Sequence, residues 1–394
     1  MKLTRYALAA ATVLAVTATP ALAQVDVRVK VDTKAVKEAA QDVAREVRQA
    51  IQSAMGPEFR RDLEGAIREM AEAFEEFGNR PWGADDRAQS RRFPATQTDR
   101  ETRRFNVGAT GELNLETLSG DVTVRRGSGR DLVVEIVREA RGTTDAAVRA
   151  GLDAIKAVSE ERGGRVTIKS IYPNQRGRSE YSVSVNYIVS APAGTRISTK
   201  SISGDVLIEG IDGEVSVNST SGDVKITGAN RVGSLATISG DVILTNVGAE
   251  GLLEASTVSG EIMATGLKAR RVSLGTISGA VVARNIDSDN VKLTSMSDDV
   301  TFDGTLTPRG RYEFSTHSGD VHIMLDGRTG FSFEGSAFSG NVTSALALQG
   351  SRSDTRTGGG RRTGSNRNLN GTFGDGSAII TATSFSGSVI VTKK

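Results

Sequence analysis

The phrase Ser201-Ile-Ser-Gly-Asp-Val206 is the first of eight similar six-residue phrases between residues 199 and 342. Its fourth position recurs after 18, 18, 20, 19, 19, 21 and 21 residues. A period of this length is too short for helix-pair repeats or for a four-stranded propeller blade, and it is typical of one coil of a β-solenoid. The other copies are Ser219-Thr-Ser-Gly-Asp-Val224, Thr237-Ile-Ser-Gly-Asp-Val242, Thr257-Val-Ser-Gly-Glu-Ile262, Thr276-Ile-Ser-Gly-Ala-Val281, Ser295-Met-Ser-Asp-Asp-Val300, Thr316-His-Ser-Gly-Asp-Val321 and Ala337-Phe-Ser-Gly-Asn-Val342.

Alternating apolar residues flank each phrase. Val215 and Val217 precede one turn, and Val224 and Ile226 follow it. Successive side chains of a strand point to opposite faces, so each coil offers two short strands with aliphatic residues on the inward face. A single coil cannot bury that face, whereas coils stacked in register can. The sequence therefore predicts an all-β fold, a single-stranded β-solenoid or β-helix of about ten coils with a ~19-residue period.

Each phrase carries its own turn chemistry. Glycine tolerates positive φ, and the neighbouring Ser and Asp side chains can hydrogen-bond to turn amides. Two further copies flank the series, Thr117-Leu-Ser-Gly-Asp-Val122 before it and Phe385-Ser-Gly-Ser-Val-Ile-Val391 after it. The predicted structural turn positions are Gly120, Gly204, Gly222, Gly240, Gly260, Gly279, Gly319, Gly340 and Gly387.

Stacked turns would also align acidic side chains in one column, the candidate site of this sequence. A catalytic or cation-binding strip is one interpretation, because solenoid lyases and hydrolases need clustered carboxylates. The favoured interpretation is that these side chains cap turns, since every repeat uses the position alike and Ala280 and Asn341 interrupt it. The candidates are Asp205, Asp223, Asp241 and Glu261, with Asp299 and Asp320 further along.

The two histidines do not indicate a metal site. His317 takes a position that other copies fill with apolar residues, so we expect it to be packed, and we expect His322 in an outward column with Lys225 and Thr301. Histidines on opposite faces do not form a zinc site. No nucleophile elbow, phosphate loop or nucleotide fingerprint occurs in the sequence. We therefore expect no enzymatic activity, no metal and no cofactor.

The first 23 residues predict export. Lys2 and Arg5 provide a basic start, residues 7–16 an apolar segment, and Ala21-Leu-Ala23 a small-residue cleavage signal. We expect a periplasmic, cell-surface or secreted protein with no transmembrane segment in the mature chain. The sequence contains no Cys, so disulfides cannot stabilise it.

The mature chain is predicted to be electrically neutral. Lys plus Arg total 49, and removal of Lys2 and Arg5 leaves 47, equal to the 47 Asp plus Glu. Binding to phosphate backbones needs a concentrated basic surface, so nucleic acid is not an expected partner. We expect an envelope or surface partner, either protein or polysaccharide.

Composition divides the rest of the chain. Residues 24–103 read as a helical arm and polar linker, with two amphipathic helices in 34–78 that could self-associate. Residues 104–394 read as the β-solenoid. Within it, residues 141–192 are predicted to be a helix-plus-strands insertion, with the helix at 143–161, that covers an open end of the stack. Residues 350–376, rich in Gly and Arg, are predicted to form a flexible loop.

Serial Ser-Gly-Asp-Val turns, an exported start, Ala191-Pro-Ala-Gly194 after the insertion and the closing Phe385-Ser-Gly-Ser-Val-Ile-Val391 carry a resemblance. Over residues 104–394 the chain resembles the bacterial β-strand-repeat family of unknown function that is labelled "putative adhesin". That resemblance implies a β-solenoid in a cell-envelope setting, and it brings no catalytic motif.

These observations favour a non-catalytic, exported protein that acts through its surface as an adhesin or envelope scaffold. Two alternatives stay open. Identical coils could continue from one chain into the next and build a self-assembling structural filament. The carboxylate column could instead serve a polysaccharide-active solenoid enzyme.

Overall fold

A computed structural model of the chain describes residues 93–172, 180–353 and 367–394. These residues form 27 strands and one helix, α1, at Asp145–Ala154. The strands before the phrase at 219 are β1 Ala95–Asn106, β2 Glu112–Ser119, β3 Val122–Arg126, β4 Asp131–Gly142, β5 Lys156–Arg162, β6 Arg165–Ile171, β7 Tyr181–Ala191, β8 Arg196–Ser203 and β9 Val206–Glu209. The next nine are β10 Glu214–Ser221, β11 Val224–Thr227, β12 Arg231–Ala236, β13 Val242–Thr245, β14 Gly248–Ser259, β15 Ile262–Thr265, β16 Lys268–Ser278, β17 Val281–Asp287 and β18 Asn290–Ser295. The last nine are β19 Val300–Thr305, β20 Arg311–Thr316, β21 Val321–Leu325, β22 Phe331–Ala337, β23 Val342–Ser344, β24 Gln349–Ser353, β25 Asn368–Phe373, β26 Ala378–Ser384 and β27 Val389–Lys393.

Most strands belong to two parallel stacks that meet at the phrase corners. The pre-corner stack contains the strands that lead into each corner, and the post-corner stack contains those that leave it. One pre-corner strand, its corner and the following post-corner strand make one rung. The pre-corner stack runs in space through β6, β2, β8, β10, β12, β14, β16, β18, β20, β26 and β22. The post-corner stack runs through β7, β3, β9, β11, β13, β15, β17, β19, β21, β27 and β23.

Equivalent residues of the phrases lie directly above one another. Val224 is the Cα partner of Val206 on one side and of Val242 on the other. Val224 and Ile226 have no exposed surface, whereas Lys225 between them is exposed. Burial of each such aliphatic side chain contributes about 1.5–3 kcal/mol. An all-β, solenoid-like fold is therefore confirmed, and its two strand faces point as the alternation predicted.

A short third side leads from each of the post-corner strands β9, β11, β13, β15, β17 and β19 to the next pre-corner strand and contributes its own column to the core. It begins at the last residues of the post-corner strand, and in one rung its inward residue, Ile286, still belongs to β17. One aliphatic side chain per rung points inward from it and is buried; these residues are Ile211, Ala229, Val247, Leu267, Ile286 and Leu306.

At the C-terminal end, the order of rungs in space differs from their order in the chain. Strand β26, the last pre-corner strand of the chain, pairs with β20 on one side and with β22 on the other. Strand β27 likewise lies between β21 and β23. The chain therefore passes over one rung position, forms β22 and β23, and returns to fill that position with its final residues.

The N-terminal end has the same arrangement in reverse. Strands β2 and β3 form the first rung in the chain, but they lie between the rung of β6 and β7 and the rung of β8 and β9. The predicted insertion therefore contributes one strand to each stack, β6 and β7, as well as the covering strand β5.

Antiparallel strands cover the ends of the stacks. Strands β4 and β1 follow β7, and β5 follows β6. At the other end, β25 and β24 follow β22. The post-corner stack ends on β23, a strand of three residues. Charged and very short strands at a sheet edge prevent further pairing.

The predicted helix at 143–161 was too long. Helix α1 begins after Thr144, whose Oγ1 accepts a hydrogen bond of 3.2 Å from the backbone N–H of Ala147, and it ends at Ala154. Residues 156–162 form β5, which pairs with β6 in antiparallel fashion. Val158, which lies within the range predicted as helix, is 40% exposed on this strand. Strand pairing at the end of the stack has replaced the last turns of the predicted helix.

Two predicted irregular segments contain strands. The polar linker was placed up to residue 103, but residues 95–106 form β1 along the full length of β4. The predicted loop at 350–376 includes most of β24 and all of β25, which pair with each other. Polar residues suit these strands because they lie at the edges of the stacks. The predicted signal peptide, the predicted helices at 34–78 and residues 354–366 lie outside the described residues.

Candidate functional site

The corner glycines are required by the close approach of neighbouring rungs. A Cβ atom built on Gly222 would overlap the carbonyl oxygen of Gly204, and one built on Gly240 would overlap that of Gly222. Positive φ was the predicted reason for these glycines, and it applies at Gly120, Gly204, Gly222, Gly240 and Gly279. The Cβ overlap extends to the remaining turn positions, which are Gly260, Gly319, Gly340 and Gly387.

The four candidate carboxylates do form a column, and each of the three Asp side chains binds the backbone of the next rung. The backbone N–H of Asp223 donates to Asp205 Oδ1 at 2.9 Å, and that of Asp241 donates to Asp223 Oδ1 at 2.8 Å. The N–H of Glu261 donates to Asp241 Oδ1 at 2.8 Å. These side chains therefore act as hydrogen-bond acceptors that join successive corners.

The column of carboxylates is interrupted at Ala280. On the next rung Asp298, which lies one position earlier in its phrase than the other carboxylates, continues it. Ala280 has no carboxylate to offer to the next rung, where Asp299 directly precedes β19. Asp298, which stands where the other corners have glycine, accepts the Asp299 N–H at 2.8 Å instead. Asp299 then accepts the N–H of Asp320 at 2.7 Å, and Asp320 accepts that of Ser388 at 2.7 Å.

His317 faces outward, contrary to the prediction that it is packed. The preceding residue, Thr316, is buried, so alternation turns His317 to the exterior. Its ring stacks on Phe385 with a centroid separation of 4.6 Å and an interplanar angle of 6°. His322 lies in the post-corner stack as the Cα partner of Thr301, in the outward column that was predicted for it.

Phe385 also stacks on Phe338, again at 4.6 Å and with an angle of 4°. Phe338 is 59% exposed and Phe385 is 45% exposed. Arg367 lies beyond the stack, with its guanidinium carbon 6.0 Å from the centre of the Phe338 ring. We call His317, Phe385 and Phe338 the aromatic stack. Its three residues come from three rungs that are neighbours in space. The last rung of the chain, formed by β26 and β27, supplies the middle ring.

An apolar column leads along the solenoid to the aromatic stack. It consists of the second residue of the phrases, which points outward beside the corner and is apolar in most copies, Thr220 being an exception. These side chains are only partly buried at most positions. The column includes Ile238, Val258, Ile277 and Met296 before it reaches His317. Comparison of the phrases identifies these residues in the sequence. Their outward direction is seen in the structure, because the preceding Ser or Thr is buried.

No group of three or more His, Asp or Glu side chains among the described residues is arranged to hold a metal ion. No helix within the same residues has the length and hydrophobicity to cross a membrane.

Residues 110–374 match the family model described as Toastrack DUF4097. This match confirms the resemblance that the corner phrases predicted. The comparison with curated proteins gave no match.

Several solved structures are similar to this chain. A "putative cell adhesion protein" from Clostridium sporogenes is 11% identical, with 76% of this chain and 100% of that chain covered and a TM-score of 0.21. A "putative adhesin" from Bacteroides fragilis is 13% identical, with coverage of 75% and 97% and a TM-score of 0.33. A "putative lipid binding protein" from Parabacteroides distasonis is 12% identical, with coverage of 75% and 97% and a TM-score of 0.31.

Proposed function

Because the chain belongs to the Toastrack DUF4097 family, we propose that it is a non-catalytic protein of the cell envelope or cell surface that binds a partner through its exterior, as an adhesin or scaffold does. The observation that carries this proposal is the exposed aromatic stack. Large exposed aromatic side chains are uncommon on surfaces without a binding role and are enriched in protein interfaces. The stack offers a contact surface at one end of the solenoid.

The geometry of the stack favours a protein partner over a polysaccharide. Sugars bind aromatic rings through the ring face, but both faces of Phe385 are covered by neighbouring rings. Phe338 has Phe385 on one side and Arg367 near its ring. The rings therefore offer their edges, which suit an apolar protein surface.

The role of the carboxylate column supports a non-catalytic protein. Asp205, Asp223 and Asp241 each hold a backbone N–H of the neighbouring rung. A general acid or base needs a proton that it can exchange with a substrate, at a position that a substrate can reach. Carboxylates that are held in the rung-to-rung ladder serve the fold, which disfavours the polysaccharide-active alternative.

The covered ends of the stacks disfavour the filament alternative. Growth from chain to chain requires open strand edges at both ends. Within the described part of the chain, the stacks end on the antiparallel strands β1, β5 and β24 or on the three-residue β23. We infer a single solenoid of about ten coils with a period of ~19 residues per chain, exported by residues 1–23.

Capture from envelope extracts tests this proposal. The full chain would be immobilised and exposed to an envelope extract of the cells that produce it, and bound material would be identified by mass spectrometry. A Phe338→Ser/Phe385→Ser variant should lose specific proteins that the wild type retains. Lys225→Ser, on the exterior of the post-corner stack, is the matched control and should retain them. Equal capture by all three proteins, or turnover of an envelope polysaccharide, would contradict the proposal.

A further inference from the structure

The rung formed by β26 and β27, which we call the final rung, fills a slot between two rungs that precede it in the chain. Strand β26 pairs in parallel with β20 on one side and with β22 on the other. Strand β27 pairs with β21 along its whole length and with β23 over residues 389–391. The walls of this slot are therefore strand edges that only the final rung satisfies.

Side-chain contacts also hold the final rung in its slot. At the corner, Asp320 Oδ1 accepts a hydrogen bond of 2.7 Å from the backbone N–H of Ser388. Beyond β27, Lys394 Nζ lies 2.7 Å from Asp303 Oδ1, and the Asp303 side chain is only 18% exposed. The inward side chains of the final rung are buried in the core; they are Ile380, Ala382, Val389 and Val391. The slot therefore fits one particular sequence.

Both walls of the slot precede the final rung in the chain. Strands β20 and β21 lie within residues 311–325, and β22 and β23 lie within residues 331–344. The same contacts are available to the final rung of the same chain and to that of a second copy, because the two segments are identical. Entry of a second copy's segment needs no additional space, since every copy contains the slot.

A tight crossing connects the final rung to the preceding strand. Phe331, at the start of β22, is the Cα partner of Phe373 in β25 on one side and of Ala378 in β26 on the other. Residues 374–377, which we call the crossing segment, therefore carry the chain from one side of β22 to the other. Short, tight connections of this kind favour exchange of the element that they carry, because an extended connection relieves them.

The crossing segment requires left-handed backbone at two glycines. Gly374 has a φ of 61° and Gly376 has a φ of 68°. A Cβ atom on Gly374 would lie 3.2 Å from the Cα of Gly330, beside which the chain crosses. Residues with a side chain disfavour this conformation. An extended crossing segment has no such requirement, and its four residues would span roughly 13 Å.

We propose that the partner of this slot is a second copy of the chain, and that two copies exchange their final rungs to form a closed dimer. Each crossing segment is then extended and leads into the slot of the other copy. Exchange of an identical element is a low-cost route to dimers, because the contacts of that element are kept. The exchange is reciprocal, so it closes at two copies and does not continue into a filament.

Exchange makes the aromatic stack a composite of two copies. Phe385 lies on the final rung, so in the dimer it lies between His317 and Phe338 of the other copy. Each dimer then carries two aromatic stacks, and two linked binding sites increase avidity for a surface that presents several partner molecules. The exchange itself does not rest on the proposed function, because it is measured without any partner protein.

Cross-linking between two singly substituted chains tests the exchange. Full chains carrying His322→Cys or Ile390→Cys, positions that are Cα partners between β21 and β27, would be unfolded in urea, mixed, refolded together and oxidised. A disulfide-linked heterodimer, identified by its intact mass, should form with a yield that rises with protein concentration. Lys225→Cys and Ile243→Cys are the matched control pair, since they are also Cα partners but lie in rungs that do not exchange. Their heterodimer yield should be at least tenfold lower, and equal yields from the two pairs would overturn the proposal.

Substitutions in the crossing segment provide the second measurement. Gly374→Val and Gly376→Val should each raise the ratio of dimer to monomer at least tenfold in size-exclusion chromatography with light scattering, because valine opposes the left-handed turn but suits an extended segment. Gly228→Val is the matched control. Gly228 has a φ of 63°, a Cβ there would meet nothing closer than 4.0 Å, and its rung does not exchange, so this variant should stay monomeric. Gly374→Ala serves if a valine variant loses its melting transition. Folded crossing-segment variants that remain as monomeric as the control would show that the proposal is wrong.

Discussion

The Oδ1 atom of Asp223 accepts a hydrogen bond of 2.8 Å from the backbone N–H of Asp241, one rung further along the solenoid. The backbone N–H of Asp223 in turn donates to Asp205 Oδ1 at 2.9 Å. Each corner is thereby joined to its two neighbours through side chain and backbone. This ladder runs parallel to the strand pairing and holds the corners in register.

Replacement of Asp223 by Ala should lower the free energy of unfolding by about 1 kcal/mol, because the Asp241 N–H loses its acceptor. Asp223→Asn keeps an acceptor oxygen and should retain most of the stability. Urea unfolding of the two variants measures the difference. Equal destabilisation by both variants would show that charge, not hydrogen bonding, is what the column needs.

Asp298, which supplies the acceptor that Ala280 lacks, gives a second prediction. Asp298→Ala should destabilise by about 1 kcal/mol, because Asp299 loses the acceptor of its N–H. Adding Ala280→Asp restores a carboxylate on the neighbouring rung and should recover part of that loss. A double-mutant cycle on unfolding free energies measures the coupling. Additive effects of the two substitutions would contradict this account of Asp298.

A negative charge should destabilise the protein on the inner face of a rung and should be tolerated on the outer face. Val224→Asp or Ile226→Asp should destabilise by at least about 3 kcal/mol, since an unpaired carboxylate would enter an aliphatic column with no exposed surface. Lys225→Asp, between them, should change stability by less than about 0.5 kcal/mol. Thermal unfolding followed by circular dichroism compares the three. Similar losses at positions 224 and 225 would mean that the faces are misassigned.

Alkaline pH should destabilise the protein through Tyr187. Burial raises the pKa of Tyr187 to about 12, and its hydrogen bond with Ser170, 2.6 Å between the oxygens, only partly opposes this. The folded pKa exceeds the ordinary value of about 10, so the stabilisation is complete below pH ~10 and is lost as the pH rises toward 12. The loss should be on the order of 2 kcal/mol.

Tyr187→Phe should be less stable than the wild type at neutral pH and should show a shallower decline above pH ~10. Ser170→Ala keeps the ionising group and should keep the steep decline. Urea midpoints across this pH range provide the comparison. Parallel curves for Tyr187→Phe and the wild type would exclude Tyr187 as a source of the alkaline loss.

The sequence was sufficient to predict the local structure of each rung. The corners and the inward direction of Val224 and Ile226 follow from turn chemistry and alternation, which act over a few residues. The direction of His317 could have been derived in the same way, because the buried Thr316 precedes it. Apolar residues in that position of other phrases suggested burial, but they form a half-buried exterior column.

The order of rungs could not be predicted. Every rung presents nearly the same strand edges. The residues near β20 therefore do not show whether its neighbour in space is β22, the next pre-corner strand of the chain, or β26, the last one. The aromatic stack depends on that order, since Phe385 lies between His317 and Phe338. The register shifts between β10 and β12 and between β14 and β16 were likewise not predicted from the sequence.

Cysteine cross-linking tests the central claim, that the corners line up along one axis with the final rung inserted between its two predecessors. The chain has no native Cys. In the structure His322 is the Cα partner of Ile390, which is in turn the partner of Thr343. Residues one rung apart are within disulfide reach, whereas residues two rungs apart, roughly 10 Å, are not. A His322→Cys/Ile390→Cys variant should therefore form an intramolecular disulfide on oxidation, and His322→Cys/Thr343→Cys should not. The opposite result, a disulfide between positions 322 and 343 only, would contradict the inserted rung and with it the aromatic stack.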